Sequence, residues 1–151
     1  MRLSDHLEER FVNIELASRT KDEAIRELAG RLKDSPDMLD FDLYLKDVFE
    51  REKQASTGIG RGAAIPHART EAVREFVVAV GRAAEGIEFG SIDGKPVRTI
   101  VLMGTPKAKV KTYLKLLAHL SHLIKTNGFL DRLLEAPDGS AVVELFKSHE
   151  R

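Results

Sequence analysis

The sequence predicts an α/β layered domain, on two observations. Two almost unbroken apolar runs, FVVAV at 76–80 and TIVLM at 99–103, are rich in β-branched residues. That is the pattern of strands covered on both faces. Around them lie stretches whose apolar residues recur every three to four positions, the stripe of helices that bury one side. Helices on both sides of buried strands give the α/β layering; periodicity leaves the strand order open.

The elements follow in order. Residues 11–16, FVNIEL, alternate apolar and polar and read as a strand with one buried face. Thr20-Lys21-Asp22-Glu23 has the spacing of a capping box: the Thr20 hydroxyl accepts from the Glu23 N–H while Glu23 reaches back. Ala24, Ile25, Leu28, Ala29 and Leu32 form the stripe of the helix behind it. A second helix opens at Asp40, with Phe41, Tyr44, Leu45, Val48 and Phe49 on one side and Arg51-Glu52 at its polar end. Between the two apolar runs, Asp93-Gly94 marks a turn. After Gly104-Thr105-Pro106 a third helix is expected over 107–125, striped by Val110, Tyr113, Leu114, Leu117, Leu120 and Ile124. Two short helices close the chain, one capped by Asn127 and carrying Phe129, Leu130, Leu133 and Leu134. The other is capped by Asp138 and carries Ala141, Val142, Leu145 and Phe146.

Bulk properties narrow the function. At 151 residues the chain has the size of one ordinary domain, and residues 1–151 are expected to form one. The 24 basic residues match the 24 acidic ones, and this balance argues against a general nucleic-acid binder. The absence of cysteine excludes disulfides, thiol nucleophiles and thiolate metal sites. No apolar run approaches the roughly 18 residues that span a bilayer. The N-terminal MRLSDHLEERF lacks an apolar signal core. A cytoplasmic protein without membrane insertion is expected.

The chemistry concentrates in residues 51–69, REKQASTGIGRGAAIPHAR. Gly58, Gly60 and Gly62 match neither the dinucleotide fingerprint nor the P-loop, so nucleotide binding has no support. Alone, they describe a turn as well as a site. His67 follows Pro66, which fixes the backbone before it. A lone histidine is more often a surface or core residue than a nucleophile. A phosphoryl acceptor, however, needs a free ring nitrogen, a partner for the other nitrogen, and donors for three phosphoryl oxygens. The stretch offers candidate donors in the glycine-loop amides, the Ser56 and Thr57 hydroxyls, and the forks of Arg51, Arg61 and Arg69.

Residues 56–67, STGIGRGAAIPH, resemble the active-site segment of type 2 enzyme IIA domains, the mannitol/fructose class of the bacterial phosphotransferase system. Arg51-Glu52, ahead of the histidine, match as well, as do LSDHLEERFVNIEL, KDEAIRELAGRL and EGIEFGSIDGKPVRTIVLMGTP, so the resemblance covers nearly the whole chain. It implies a mixed central β-sheet flanked by helices, a phosphotransferase/anion-transport-like layered domain. It implies that His67 accepts a phosphoryl group from a histidine phosphocarrier protein. Arg51 would bind or orient that group, helped by Ser56, Thr57 and the amides of Gly58, Gly60 and Gly62. In sugar transporters such domains pass the group to an enzyme IIB domain; in the stand-alone nitrogen-regulatory branch their phosphorylation state controls regulatory protein targets. No IIB, IIC or phosphocarrier segment accompanies the domain, and the regulatory branch is the nearer expectation. No metal or organic cofactor is implied.

One departure stands out. The family carries a second histidine in an H-L-x-L-L pattern, and here the matching run is Tyr113-Leu114-Lys115-Leu116-Leu117. At about 100° per residue, His119 lies roughly 240° and His122 roughly 180° around the helix from Tyr113, so neither substitutes for it. Tyrosine donates a hydrogen bond but no positive charge. Loss of one charge-assisted contact costs about 1.5–3 kcal/mol, or roughly one to two powers of ten in transfer. The intact active-site segment favours a phosphocarrier, and Tyr113 favours a regulatory interaction module. His119 and His122 are spaced for one helix face, but no carboxylate in the sequence suggests itself as a third ligand, and solvated or edge-of-core histidines are expected. Lys107, Lys109 and Lys111 read as a solvated loop or as the rim of a docking surface for an acidic partner. No Ser–His–Asp arrangement supports a hydrolase.

Overall fold

The computed structural model describes residues 2–151. Six strands form one mixed sheet: β1 (Val12–Asn13), β2 (Gly58–Gly60), β3 (Ala63–Ala64), β4 (His67–Thr70), β5 (Val77–Ile87) and β6 (Val97–Pro106). Five α-helices flank it: α1 (Lys21–Ala29), α2 (Phe41–Gln54), α3 (Val110–Lys125), α4 (Phe129–Glu135) and α5 (Gly139–His149). The path through the sheet is β1-β5-β6-β3-β2, and β4 also pairs with β6. β5 and β6 are antiparallel, β1 is parallel to β5, and β3 and β4 are both parallel to β6. The expected mixed sheet flanked by helices is therefore present. Among the described residues no helix is long and apolar enough to cross a membrane.

The long strands exceed their predicted spans, 76–80 and 99–103, because alternating and glycine-containing ends carry the ladder past the apolar centre. The segment 63–70 runs along β6 as one strand with a break. Ala63 and Ala64 pair with Thr99 and Ile100, and His67–Thr70 pair with Met103–Pro106. Pro66 lies in the break. It has no N–H to donate, but its carbonyl accepts from the Met103 N–H. Successive side chains of β4 and β6 face opposite sides. Thr70 and Gly104 face α2, where Thr70 donates to Asp47 and a Cβ on Gly104 would sit 2.6 Å from the Tyr44 ring. His67, Arg69, Met103 and Thr105 face the other way, toward α3.

Several expected boundaries are corrected. The strand expected at 11–16 forms a ladder at Val12–Asn13, with one further backbone bond from the Leu16 N–H to the Arg82 carbonyl. Beyond it the Glu15 N–H donates to the Asn13 side chain, and the Ala17 and Ser18 N–H groups donate to the Glu27 carboxylate. Side chains thus take donors that a ladder would use. Thr20 accepts from Glu23 as expected, but among the described residues Glu23 makes no return bond. The third helix begins at Val110, because Lys109 closes a turn onto Pro106. The cap of α4 is Gly128, at φ 81, and not Asn127; a left-handed entry there suits glycine. Asp40 and Asp138 cap their helices as expected.

Candidate functional site

His67 opens β4 and is 5% exposed. Its Nδ1 lies 2.7 Å from the Ile65 carbonyl oxygen. A carbonyl only accepts, so Nδ1 carries the proton and donates. In the neutral ring this leaves Nε2 with its lone pair free. Pro66 makes the contact possible: it sets the extended approach that brings the carbonyl of the residue before it under the imidazole. Burial holds the His67 pKa below the usual histidine value and is the largest influence. The Ile65 hydrogen bond opposes it, the positive charge of Arg51 adds to it, and the negative charge of Glu52 opposes it. Folding thus favours the neutral ring.

Tyr113, from the first turn of α3, lies across the imidazole with ring centroids 5.5 Å apart and planes at 52°. The Arg69 guanidinium sits 5.4 Å from the centroid of the same phenol ring. His67, Tyr113 and Thr105 line one narrow cleft with Ala68, Phe76 and Met103. The position expected to hold a second histidine therefore adjoins His67, and its occupant is a neutral phenol stacked against a cation.

Arg51 lies in the last turn of α2 and donates to the Ala55 carbonyl at 2.9 Å, and its positive charge acts on His67. Glu52, the next residue, is buried. It accepts from the Thr57 N–H and from the Thr57 hydroxyl, and it pairs with Lys21 at 2.6 Å. Glu52, Lys21 and the Ile65 carbonyl were not among the expected site residues. Lys21 has no local signal, since it sits in the first turn of α1, distant in the chain.

Of the amides in the glycine run, that of Gly58 is taken by the Ser56 hydroxyl. Gly60 and Gly62 have φ of 92° and 77°, and Arg61 between them is also left-handed, so β2 and β3 are joined by a tight turn. A Cβ on Gly58 would meet the Ser91 side chain at 2.3 Å, so the run packs closely against the 91–93 segment. The Arg61 N–H donates to Asp93, and the exposed Arg61 side chain lies outside the cleft. Ser56 donates to the Phe89 carbonyl and accepts from the Gly58 N–H. The polar groups of Ser56, Thr57 and Gly58 therefore hold the loop together. None of Ser56, Thr57, Gly58, Gly60 and Gly62 lines the cleft.

Two other expectations change. His119 has a carboxylate neighbour after all: its Nε2 lies 2.6 Å from Glu150, which also accepts from the Leu3 and Ser4 N–H groups. Glu150 follows α5, so sequence spacing could not pair it with α3. Among the described residues no group of three metal-ligating side chains forms. Lys109 pairs with Glu75 at 2.7 Å, while Lys107 and Lys111 are exposed.

Residues 5–149 match the family described as phosphoenolpyruvate-dependent sugar phosphotransferase system, EIIA 2. The chain is 35% identical over 135 residues to the fructose-specific EIIA component of Haloferax volcanii, covering 89% of this chain and 88% of that protein. It is 30% identical over 151 residues to the fructose-specific EIIABC component of Bacillus subtilis, covering all of this chain but 24% of that longer protein. Among solved structures, the nitrogen regulatory protein IIA-Ntr of Neisseria meningitidis superposes with a TM-score of 0.88 at 26% identity, covering 95% of this chain and 98% of that one.

Proposed function

This chain belongs to the EIIA 2 family of the phosphoenolpyruvate-dependent sugar phosphotransferase system, and from that premise we propose that His67 accepts a phosphoryl group on Nε2 from a histidine phosphocarrier protein. The observation that carries this reading is the Nδ1–H donated to the Ile65 carbonyl in a ring that burial keeps neutral. The Nε2 lone pair forms the new N–P bond. The N–P bond of the donor breaks, and its electron pair stays on the donor ring. Positive charge then grows on the His67 imidazole and spreads to Nδ1–H, where the Ile65 carbonyl and the field of Glu52 stabilise it. Arg51 offsets the phosphoryl charge. Ser56, Thr57, Gly58, Gly60 and Gly62 act by shaping the loop that ends at His67, and residues 1–151 form one IIA domain.

The phosphoryl group then serves regulatory protein targets or passes to an enzyme IIB domain. Tyr113 favours the regulatory role: a phenol supplies no cation to stabilise rapid onward transfer. The relatives carry both kinds of name. Incubation with phosphoenolpyruvate and the general components of the system should add the mass of one phosphoryl group to the wild type and none to His67→Ala. No gain from any phosphohistidine donor would overturn the reading. Capture of partners by wild type, His67→Ala and His67→Glu then separates the two roles. Partner sets that change with the charge at position 67 support regulation, and identical sets refute it.

A further inference from the structure

The Ile65 carbonyl that fixes the His67 ring is itself held by bonds that lead away from the site. The Ile65 N–H donates to the Thr57 carbonyl at 3.0 Å, one step beyond the Gly58–Ala64 pair of the β2–β3 ladder. Thr57 is 3% exposed, and its N–H and hydroxyl both donate to the Glu52 carboxylate. The same carboxylate meets the Lys21 ammonium at 2.6 Å. An unbroken run of contacts therefore leads from Lys21 in α1 through Glu52, Thr57 and Ile65 to Nδ1 of His67. The Lys21 ammonium also lies 5.2 Å from the centre of the Phe89 ring, and the Phe89 carbonyl accepts from Ser56, beside Thr57.

Two members of this run sit where helix electrostatics disfavour them. Lys21 opens α1, at the positive end of that helix dipole, and Glu52 lies near the end of α2, where the dipole is negative. Glu52 is also buried, and taking a carboxylate out of water costs free energy. An uncharged residue at either position would suit its own helix better. The pair instead serves a contact between elements: it ties the start of α1 and the end of α2 to the segment that leads into the glycine turn.

We propose that Lys21, Glu52 and Thr57 are positioning residues for phosphoryl transfer, holding the Ile65 carbonyl against Nδ1 of His67 so that Nε2 stays the bare ring nitrogen. This rests on the reading of His67 as the phosphoacceptor. The three act through the Ile65 backbone and not on the reacting atoms. What passes along the run is position, from a lysine distant in the chain to the tautomer of the imidazole.

The test reads the His67 ring of the unphosphorylated protein by nitrogen NMR, which distinguishes a protonated from a bare ring nitrogen. At about pH 8 a histidine of lowered pKa is neutral. Lys21→Met and Thr57→Val should each lower the ratio of the Nδ1–H to the Nε2–H tautomer roughly three- to tenfold, the effect of weakening one hydrogen bond. Lys21→Arg and Thr57→Ser keep the donors and should stay near wild type. Phe146→Leu loosens the core where α5 packs on Phe129 and should leave the ratio unchanged. Phosphoryl uptake from phosphoramidate, followed by intact mass, should fall in step with the Nδ1–H fraction. In that step the Nε2–P bond forms as the P–N bond of phosphoramidate breaks, and ammonia leaves with its electron pair. An unchanged ratio in either Lys21→Met or Thr57→Val overturns the proposal, and continued uptake by the wild type leaves the reading of His67 intact. A fall that the conservative variants do not rescue, or that Phe146→Leu shares, also overturns it, since general loosening would then explain the effect. A wild type that gains no more phosphoryl than His67→Ala removes the reading of His67 and with it the role of the three residues.

Discussion

Replacing Tyr113 with histidine tests the central departure of this chain from its family. The phenol ring lies 5.5 Å from the His67 ring and carries the Arg69 guanidinium 5.4 Å from its centroid. In Tyr113→His, a neutral donor gives way to one that can be protonated. A neutral hydrogen bond contributes about 0.5–1.5 kcal/mol and a charged one about 1.5–3 kcal/mol, a gain of about 1–1.5 kcal/mol for the phosphorylated state. That is roughly tenfold in the lifetime of the phosphoryl group. Two effects oppose it. The cation–π contact with exposed Arg69 is lost, which costs the fold about 0.5–1 kcal/mol. The same guanidinium disfavours a second cation beside it, so the gain requires acid conditions. Lifetimes of phosphorylated wild type and Tyr113→His, followed by intact mass at pH 6 and pH 8, should differ about tenfold at the lower pH and converge at the higher. Equal lifetimes at pH 6, or a ratio independent of pH, would refute the argument that charge at position 113 is what the chain lacks.

Three further outcomes are expected. The lowered pKa of His67 means that folding favours its neutral form. Its contribution to stability is complete above the unfolded value of about 6.5 and falls away as the pH drops from there toward the folded value. His67→Gln should flatten the slope of urea stability against pH in that window, and an unchanged slope counts against the burial argument. Glu52→Ala removes the partner of Lys21 and both acceptors of Thr57. It should destabilise the protein by about 2–3 kcal/mol, below the usual range for a broken buried pair because Lys21 keeps some solvent access; a urea titration showing under about 0.5 kcal/mol would contradict this. Gly104→Ala puts a methyl 2.6 Å from the Tyr44 ring and 3.1 Å from Val77. It should lower stability by about 1–3 kcal/mol in thermal or urea unfolding, whereas an unchanged midpoint would mean α2 shifts freely.

How much was legible depended on whether a feature is carried by neighbours in the chain. The two long strands and the Thr20, Asp40 and Asp138 caps are set by residues within a few positions of one another, and all appeared in the structure. The short strands β2, β3 and β4 were not predicted, because each is two to four residues long and forms only by pairing along β6 or within the glycine turn. The α4 cap was misplaced by one residue, since asparagine and glycine both suit helix starts and only the backbone angle distinguishes them.

Within the site the division follows the same line. Family membership, the candidacy of His67 and the tyrosine at position 113 were all readable from residue identities, because each rests on a contiguous or regularly spaced pattern. The sequence also placed Pro66 where the backbone must be extended. Which ring nitrogen is free followed from the fold, because it depends on the Ile65 carbonyl reaching Nδ1. The fold also showed that Glu52, Phe89 and the 91–93 segment engage Thr57, Ser56 and Gly58 across the structure. Hydrogen-bond partners and burial are properties of neighbours in space, and a linear pattern names the candidates without saying which of them meet.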